Sequence, residues 1–245
     1  GRIMDYAFHW GVFLEQAAAN ETYLDWMISG LKVTIALGLS SWIIALAIGS
    51  VLGVLRTVPN KWLSGIAATY VEIFRNIPLL VQLFIWYFVG PELLPGGETI
   101  KQMNPFTQQF LAAMLCLGTF TAARVCEQVR SGINSLPRGQ KNAGLAMGFT
   151  LPQTYRYVLL PMAFRVIVPP LTSEFLNIFK NSAVASTIGL LELAAQGRQL
   201  VDYTARPYES FIAVTVLYAL INFTVMLIMR WVERRTRVPG FIGGK

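Results

Sequence analysis

The sequence predicts an all-α membrane protein with five transmembrane helices, its N-terminus outside and its C-terminus in the cytoplasm. Three observations carry this expectation. Of 245 residues, 54% are hydrophobic and only 13% charged, with a mean hydropathy of +0.51; a soluble domain carries about 25% charged residues. The apolar runs are continuous rather than alternating, so helices and not barrel strands satisfy the backbone in lipid. Basic residues gather at alternate ends of those runs, as they do in cytoplasmic loops. That pile-up accounts for the net charge of +7 without a nucleic-acid partner.

Taken in order, residues 1–27 form an outer segment that carries Asp5, Glu15, Glu21 and Asp25. The stretch 6–26 is too polar to span. Phe8, Trp10, Phe13, Tyr23 and Trp26 suit either an interfacial helix or an ordered loop packed on the bundle. The first span, 31–55, has Lys32 as its only charge and is long enough to cross with some tilt. Gly49 and Gly53 within it permit close helix approach, or reflect the ordinary glycine content of membrane helices. The second span, 66–89, contains Glu72, Arg75 and Pro78. Proline removes a backbone donor and biases Ile77 away from helix, so a break is expected near Arg75–Pro78. The third span, 110–129, carries Arg124 and Glu127 near its end. The fourth, 164–194, starts around Pro169 and Pro170 and carries Glu174, Lys180 and Glu192. The fifth, 211–231, has no charge before Arg230.

Charge sets the orientation. Arg56 and Lys61 follow the first span; Arg130, Arg138, Lys141 and Arg156 follow the third; Arg230, Arg234, Arg235 and Arg237 follow the fifth. These segments belong in the cytoplasm, and the 90–106 loop with Glu92 and Glu98 belongs outside. Cys116 and Cys126 fall ten residues apart on one helix, about 15 Å, too far for a disulfide.

Catalytic chemistry finds no support. There is no G-x-x-x-x-G-K-[ST] loop, so the chain is not its own ATPase. The one histidine, His9, suits an interface better than a metal, and no metal-ligand spacing occurs. No intramembrane histidine is present to activate a serine. Membrane catalysis is therefore not expected, nor is a cofactor held by this chain. Its notable residues are intramembrane charges, which cost about 2.5–3.5 kcal/mol on insertion scales and therefore face a partner or a water-filled path. Arg124 and Glu127 lie about 60° apart on one helix, with Gln128 a turn from Arg124. Glu174, Asn177 and Asn181 form a polar stripe, and Lys180 falls off it. Two readings stay open. The charges pair and hold helices together, as Arg124 with Glu127 could within one helix. Alternatively, the two faces line a path whose guanidinium and carboxylates fit the carboxylate and ammonium of an amino acid. Glu72 and Arg75 read as a structural pair.

Residues 138–161, R-G-Q-K-N-A-G-L-A-M-G-F-T-L-P-Q-T-Y-R-Y-V-L-L-P, form a polar, basic island between apolar stretches. Gly144, Gly148 and Pro161 outline a short helix, a turn and a second short helix with a hard stop. The segment resembles the cytoplasmic coupling loop of ABC importer permeases. That family reads Glu-Ala-Ala, three residues, Gly, nine residues, an apolar residue, any residue, Leu-Pro. Here Asn142-Ala143-Gly144, Gly148 and Val158-Leu159-Leu160-Pro161 keep the spacing throughout, with Asn142 in place of Glu and Gly144 in place of Ala. Further runs extend the likeness: F-R-N-I-P-L-L-V-Q-L-F at 74–84, T-A-A-R-V-C-E-Q-V-R at 121–130, S-L-P-R-G-Q at 135–140, L-P-M-A-F-R-V-I-V-P-P-L-T-S-E at 160–174 and L-N-I-F-K-N-S-A-V-A-S-T-I-G at 176–189. Over residues 28–235 the chain is similar to the polar-amino-acid permeases of bacterial ABC importers, the histidine-permease family. Where Arg124 stands, that family commonly has an uncharged residue. The run A-A-R-V-C-E-Q-V-R resembles the glutamate/aspartate permease subunits.

The resemblance implies a type I ABC importer permease fold in the bacterial inner membrane. It implies a permease domain over 28–235, a coupling loop over 132–163 and a cytoplasmic tail over 236–245. It implies a second permease subunit of different sequence, two ATPase subunits that bind ATP and Mg, and a periplasmic amino-acid-binding protein. The coupling contacts it implies are Asn142, Ala143, Gly144, Met147, Gly148, Leu160 and Pro161. An added cation suggests an added anion on the substrate. Arg124 is then expected to take a substrate carboxylate and Glu174 or Glu127 the ammonium, with Asn177 and Asn181 beside them. An ion-coupled secondary transporter and a non-transporting membrane anchor are the rival readings. Five spans, no repeat and the coupling loop count against the first, and the polar stripes against the second.

Overall fold

A computed structural model describes residues 5–236. Apart from Thr236, the expected tail lies outside them, as does Arg237. Four helices are long and apolar enough to cross a membrane, and a fifth crossing is reached if one bent pair is a single span.

The described residues before the first span form no long helix; they are the ordered segment packed on the bundle. A 3-10 turn over Trp10–Leu14 leads into a two-stranded hairpin, β1 (Gln16–Ala18) and β2 (Glu21–Thr22), turned at Asn20 with φ 66°. A left-handed Asn at a tight turn is favoured because its side chain bonds locally, and it ends any helix there. The segment packs on the bundle instead: the Tyr6 hydroxyl donates to Glu209 at 2.7 Å, and the His9 backbone N–H donates to the same carboxylate at 3.2 Å.

Helix α1 (Tyr23–Leu55) starts eight residues earlier than the hydropathy suggests. Thr22 caps it, accepting from the Asp25 N–H at 3.3 Å, while the Asp25 carboxylate accepts from the Thr22 N–H at 2.9 Å. This reciprocal box fixes the start. On α1, Gly49 and Gly53 both serve close approach. A methyl on Gly49 would lie 2.5 Å from Val125 Cβ, and one on Gly53 would lie 2.6 Å from Val129 Cβ. In lipid such backbone proximity, rather than hydrophobic transfer, drives helix association.

Helix α2 (Lys61–Asn76) is capped by Asn60 and ends where Ile77 turns extended before Pro78. The chain then bends by 103°, so the expected break is present. Helices α3 (Leu79–Phe84) and α4 (Gly90–Leu93) follow, joined by a π turn over Ile85–Val89. A short α5 (Gly97–Lys101) leads to α6 (Pro105–Asn134), capped by Asn104, whose side chain accepts from the Thr107 N–H at 2.8 Å. Helix α7 (Arg138–Ala146) and α8 (Leu151–Thr154) form the 138–161 segment. A π turn over Tyr155–Leu159 joins α8 to α9 (Leu160–Asn181), which runs on as a 3-10 segment, Ser182–Ile188.

Pro161 is therefore not a stop. The Leu160 N–H bonds back to the Tyr155 carbonyl, and the Gly90 N–H bonds to the Ile85 carbonyl in the same way just before Pro91. Widening one turn to i→i+5 pairing takes the carbonyl four residues back out of the proline ring's way, so the helix continues. Pro169 and Pro170 are likewise inside α9 rather than at its start. The fourth span ends at Ile188, short of the expected limit, because Gly189 is left-handed at φ 94°. Glu192 consequently lies outside the span. It is the N-cap of α10 (Leu193–Thr204), accepting from Ala194 N–H at 3.0 Å, Ala195 N–H at 2.7 Å and the Tyr218 hydroxyl at 2.8 Å. Helix α11 (Pro207–Thr236) closes the bundle.

Helices α1, α6, α9 and α11 share one core, in which Trp42 stacks on Phe175 at 4.8 Å. A second cluster around Leu37, Leu83, Leu117 and Leu190 secures α3 to α1 and α6. Cys116 and Cys126 are buried and unpaired.

Candidate functional site

Three helices converge on a cavity of about 300 Å³ bordered by Phe74, Arg75, Phe120, Arg124, Glu127, Gln128 and Glu174. Arg75 reaches it because α2 stops at Pro78 with that residue in its last turn. Two contacts hold this helix end. The Gln82 side-chain amide donates to the carbonyls of Phe74 at 3.0 Å and Ile77 at 2.9 Å, satisfying groups that a helix terminus leaves open. The Tyr70 hydroxyl donates to the Thr119 carbonyl at 2.6 Å, fastening α2 to α6.

Arg124 and Gln128, one turn apart on α6, present their side chains together. The Arg124 guanidinium lies 5.6 Å from the Phe120 ring centroid and makes no ion pair among the described residues. Its hydrogen-bond fork is open to a ligand. Glu174, on α9, is 6% exposed, and its Oε2 has no hydrogen-bond partner among the described residues. A buried carboxylate oxygen without a donor is costly, and a ligand ammonium would supply one.

Glu127 also borders the cavity, but its carboxylate is engaged elsewhere. Arg56, at the C-terminus of α1, pairs closely with Oε1, and Arg130 lies 3.6 Å from Oε2. The expected Arg124–Glu127 pair within one helix does not form. The ammonium role falls to Glu174. Asn177 and Asn181 are half-buried on α9 and do not border the cavity. Glu72 and Arg75 do not pair: Glu72 accepts from the Asn76 amide at 3.3 Å, and Arg75 turns to the cavity.

In the 138–161 segment, α7 ends in a Schellman turn. The Phe149 N–H donates to the Gly144 carbonyl at 3.2 Å and the Gly148 N–H to the Leu145 carbonyl at 3.1 Å, with Gly148 at φ 90°. That backbone favours glycine. Gly144 is buried against Thr154, whose methyl would lie 2.7 Å from an added Cβ. Asn142 and Ala143 face outward, and Met147 is 73% exposed. Leu160 is half-buried and Pro161 exposed at the start of α9.

A family model described as binding-protein-dependent transport system inner membrane component matches residues 45–238. The chain belongs to this family. The glutamate/aspartate import permease protein GltJ of Escherichia coli K12 is 61% identical over 99% of the chain and 100% of its own length. The glutamine transport system permease protein GlnP of the same organism is 31% identical over 86% of the chain and 93% of its own length. Among solved structures, an amino acid ABC transporter crystallised with histidines matches with TM-score 0.69 at 28% identity, covering 87% of this chain and 95% of that one. The MetNI methionine ABC transporter, in an inward-facing form, shares the fold with TM-score 0.74 at 24% identity, covering 87% of this chain and 97% of that one. Membership in a transport-system family sets aside the ion-coupled carrier.

Sequence reasoning missed Phe74, Arg75 and Phe120. The signal for Arg75 was present in Pro78: a charge in the last turn before a break faces whatever space the break opens. For the Arg56–Glu127 pair there was no such signal, since 71 positions separate its members.

Proposed function

We propose that the chain is the permease subunit of an ATP-driven importer of glutamate and aspartate. The observation that carries this is the charge inventory of the cavity. With Glu127 engaged, Arg75, Arg124 and Glu174 offer two guanidinium groups and one carboxylate, the complement of an amino acid with two carboxylates and one ammonium. Arg forks bind carboxylates with paired, charge-assisted hydrogen bonds. A volume of about 300 Å³ suits a ligand of that size. The relative named as a glutamate/aspartate import permease supports the same substrates.

In this reading the α7 end of the bundle is cytoplasmic and the N-terminus is outside, as the basic loops favour. Two ATPase subunits, which bind ATP and Mg, grip the 138–161 loops; this chain holds no cofactor. Asn142, Ala143, Gly144, Met147, Gly148, Leu160 and Pro161 form or support the docking surface. Arg75 and Arg124 are exposed in the single chain, which supports a second permease that closes the cavity; in this reading it is a chain of different sequence. A periplasmic binding protein delivers the amino acid, and lipid covers the apolar outer face of α11. ATP-driven movement of the loops shifts the balance between inward and outward states, a differential stabilisation rather than bond chemistry.

The test is ATP-dependent uptake of labelled glutamate, aspartate, glutamine and histidine by the complete importer in lipid vesicles. Uptake of the two acidic amino acids above the others is expected. Equal uptake of glutamine, or none of the four, overturns the assignment.

A further inference from the structure

Helix α11 turns an apolar stripe outward. Ile212, Val216, Leu220, Phe223 and Leu227 recur every three or four residues and are all exposed, which puts them on one side of the helix. Exposed Tyr208 and Trp231 stand at the two ends of the stripe. The 23 residues between these rings span about 35 Å, slightly more than the ~30 Å hydrocarbon core of a bilayer. Tyr and Trp gather at the two membrane interfaces. The Arg235 guanidinium, 5.2 Å from the Trp231 ring centroid, marks one of them. Tyr208 therefore lies at headgroup level in the other leaflet, the one away from the 138–161 loops.

Glu209 belongs to the same side of α11. It precedes Leu227 by eighteen residues, five full turns, and so has the same angle around the axis. A carboxylate on a lipid-facing stripe is costly, yet Glu209 is fully buried. What buries it is the segment before the first span. The Tyr6 hydroxyl and the His9 N–H donate to its two oxygens, and Arg206, 3.7 Å from Oε2, donates to the Ala7 carbonyl at 2.7 Å.

This strap turns its hydrogen-bond donors inward and its rings outward, the reverse of what a water-facing segment favours. The Tyr6 ring meets Tyr208 edge-on at 4.6 Å; the Phe8 ring lies 6.3 Å from Tyr208 and stacks on Trp10 at 5.7 Å. Phe8 is 46% and Trp10 49% exposed, while Val12 is buried against the bundle. The row Tyr208–Phe8–Trp10 thus carries the lipid-facing stripe on across Glu209.

We propose that residues 5–14 form a lipid-facing cap, with the Phe8 and Trp10 rings in the headgroup–acyl boundary of the leaflet away from the 138–161 loops. In that place the rings stand between Glu209 and lipid. The occupant of this surface is lipid rather than a protein partner, because the surface is continuous through Tyr208 with the stripe that lipid covers. The proposal does not depend on which amino acid is carried.

The experiment uses the complete importer in lipid vesicles, with a nitroxide label on Phe8→Cys or Trp10→Cys. Each variant keeps the other ring, so either decides if its counterpart fails to assemble. Phe223→Cys, midway along the stripe, is the lipid reference, and Glu98→Cys, in the exposed 90–106 loop, is the water reference. Chains lacking the added cysteine give the background from buried Cys116 and Cys126. Collision with oxygen, which partitions into lipid, is compared with collision with a water-soluble nickel chelate. The oxygen-to-nickel ratio at positions 8 and 10 is expected to exceed that at 98 by roughly threefold or more and to fall below that at 223. A ratio equal to that at 98 places the rings in water and overturns the cap. Weak collision with both reagents shows a protein partner over the rings and overturns it equally.

Discussion

Removing the Arg124 guanidinium separates a binding role from a structural one. The side chain forms no ion pair among the described residues, and its one aromatic contact, with Phe120 at 5.6 Å, is worth about 0.5–1 kcal/mol at most in an open site. Arg124→Ala is therefore expected to leave assembly with the ATPases intact and to lower thermal stability only modestly, through loss of its charge near the buried Glu174. Transport is a different matter. A hydrogen bond to a charged group contributes about 1.5–3 kcal/mol, and each ~1.4 kcal/mol is tenfold in rate. Glutamate and aspartate uptake should fall by roughly 10- to 150-fold. Arg124→Lys keeps the charge but loses the planar fork, so it should fall between the two. The assay is initial uptake over a range of substrate-loaded binding protein, with ATP hydrolysis followed in parallel. Unchanged uptake by Arg124→Ala refutes the assignment of Arg124. A large loss of melting temperature without a change in uptake per assembled complex shows that the residue is structural after all.

Three further outcomes follow from the packing. Gly49→Ala places a methyl 2.5 Å from Val125 Cβ and 2.8 Å from the Ala122 carbonyl oxygen, where ordinary carbon contacts need about 3.5–4.0 Å. Helices α1 and α6 must part by about 1 Å, costing about 1–3 kcal/mol, seen as a melting temperature lower by several degrees. Gly148→Ala strains a backbone at φ 90° with open space around it. A cost of about 1–2 kcal/mol should appear as weaker retention of the ATPase subunits in pull-down, with the membrane core melting unchanged. Glu192→Ala removes three hydrogen bonds and leaves the half-buried Tyr218 and two α10 amides without their acceptor. A loss of about 2–4 kcal/mol is expected by thermal unfolding, and Glu192→Gln should recover part of it.

Four of the spans and the break at Pro78 were legible because both kinds of signal are local. Long apolar runs and a missing backbone donor leave marks within a few residues. Prolines 161, 169 and 170 misled for the same reason. Pro161 reads locally as a stop and Pro169 and Pro170 as a start, yet a π turn before Pro161 and tertiary packing around α9 carry the helix through all three. Glu192 was misplaced because the decisive residue was Gly189, three positions earlier, whose left-handed turn ends the span. In the cavity, Arg124, Glu127 and Glu174 were found as charges in apolar surroundings. Their partners were not, because Arg56 and Arg75 come from helices far away in the chain. Helical spacing places residues on faces; it does not say which face meets which. Asn177 and Asn181 share the stripe of Glu174 by spacing, yet the cavity ends below them.

The order of elements bears directly on how a loop could drive this cavity. Arg124 lies on α6 and Glu174 on α9, and the chain between those helices, residues 135–159, carries α7 and α8. Arg124 is ten residues, about 15 Å, from the end of α6, and Glu174 is fourteen residues, about 21 Å, from the start of α9. Any displacement of α7 and α8 therefore acts on both cavity-bearing helices at once, through their nearest ends. Two features make the connection stiff. The Schellman turn and the Thr150–Gln153 capping box fix the angle between α7 and α8. The buried Tyr155 hydroxyl lies 3.0 Å from both the carbonyl and the hydroxyl of Thr57, just past α1. One feature makes it compliant: the π turn at Tyr155–Leu159, the least regular hydrogen-bonded turn between loop and span. Under the proposed function, a movement imposed on the loop reaches Arg56 through the Tyr155–Thr57 contact, one residue away. Arg56 is also the tight partner of Glu127. The same displacement that tilts α6 against α9 thus reaches the Arg56–Glu127 ion pair at the edge of the substrate cavity, through one hydrogen-bonded contact and one step along the chain rather than by a long relay.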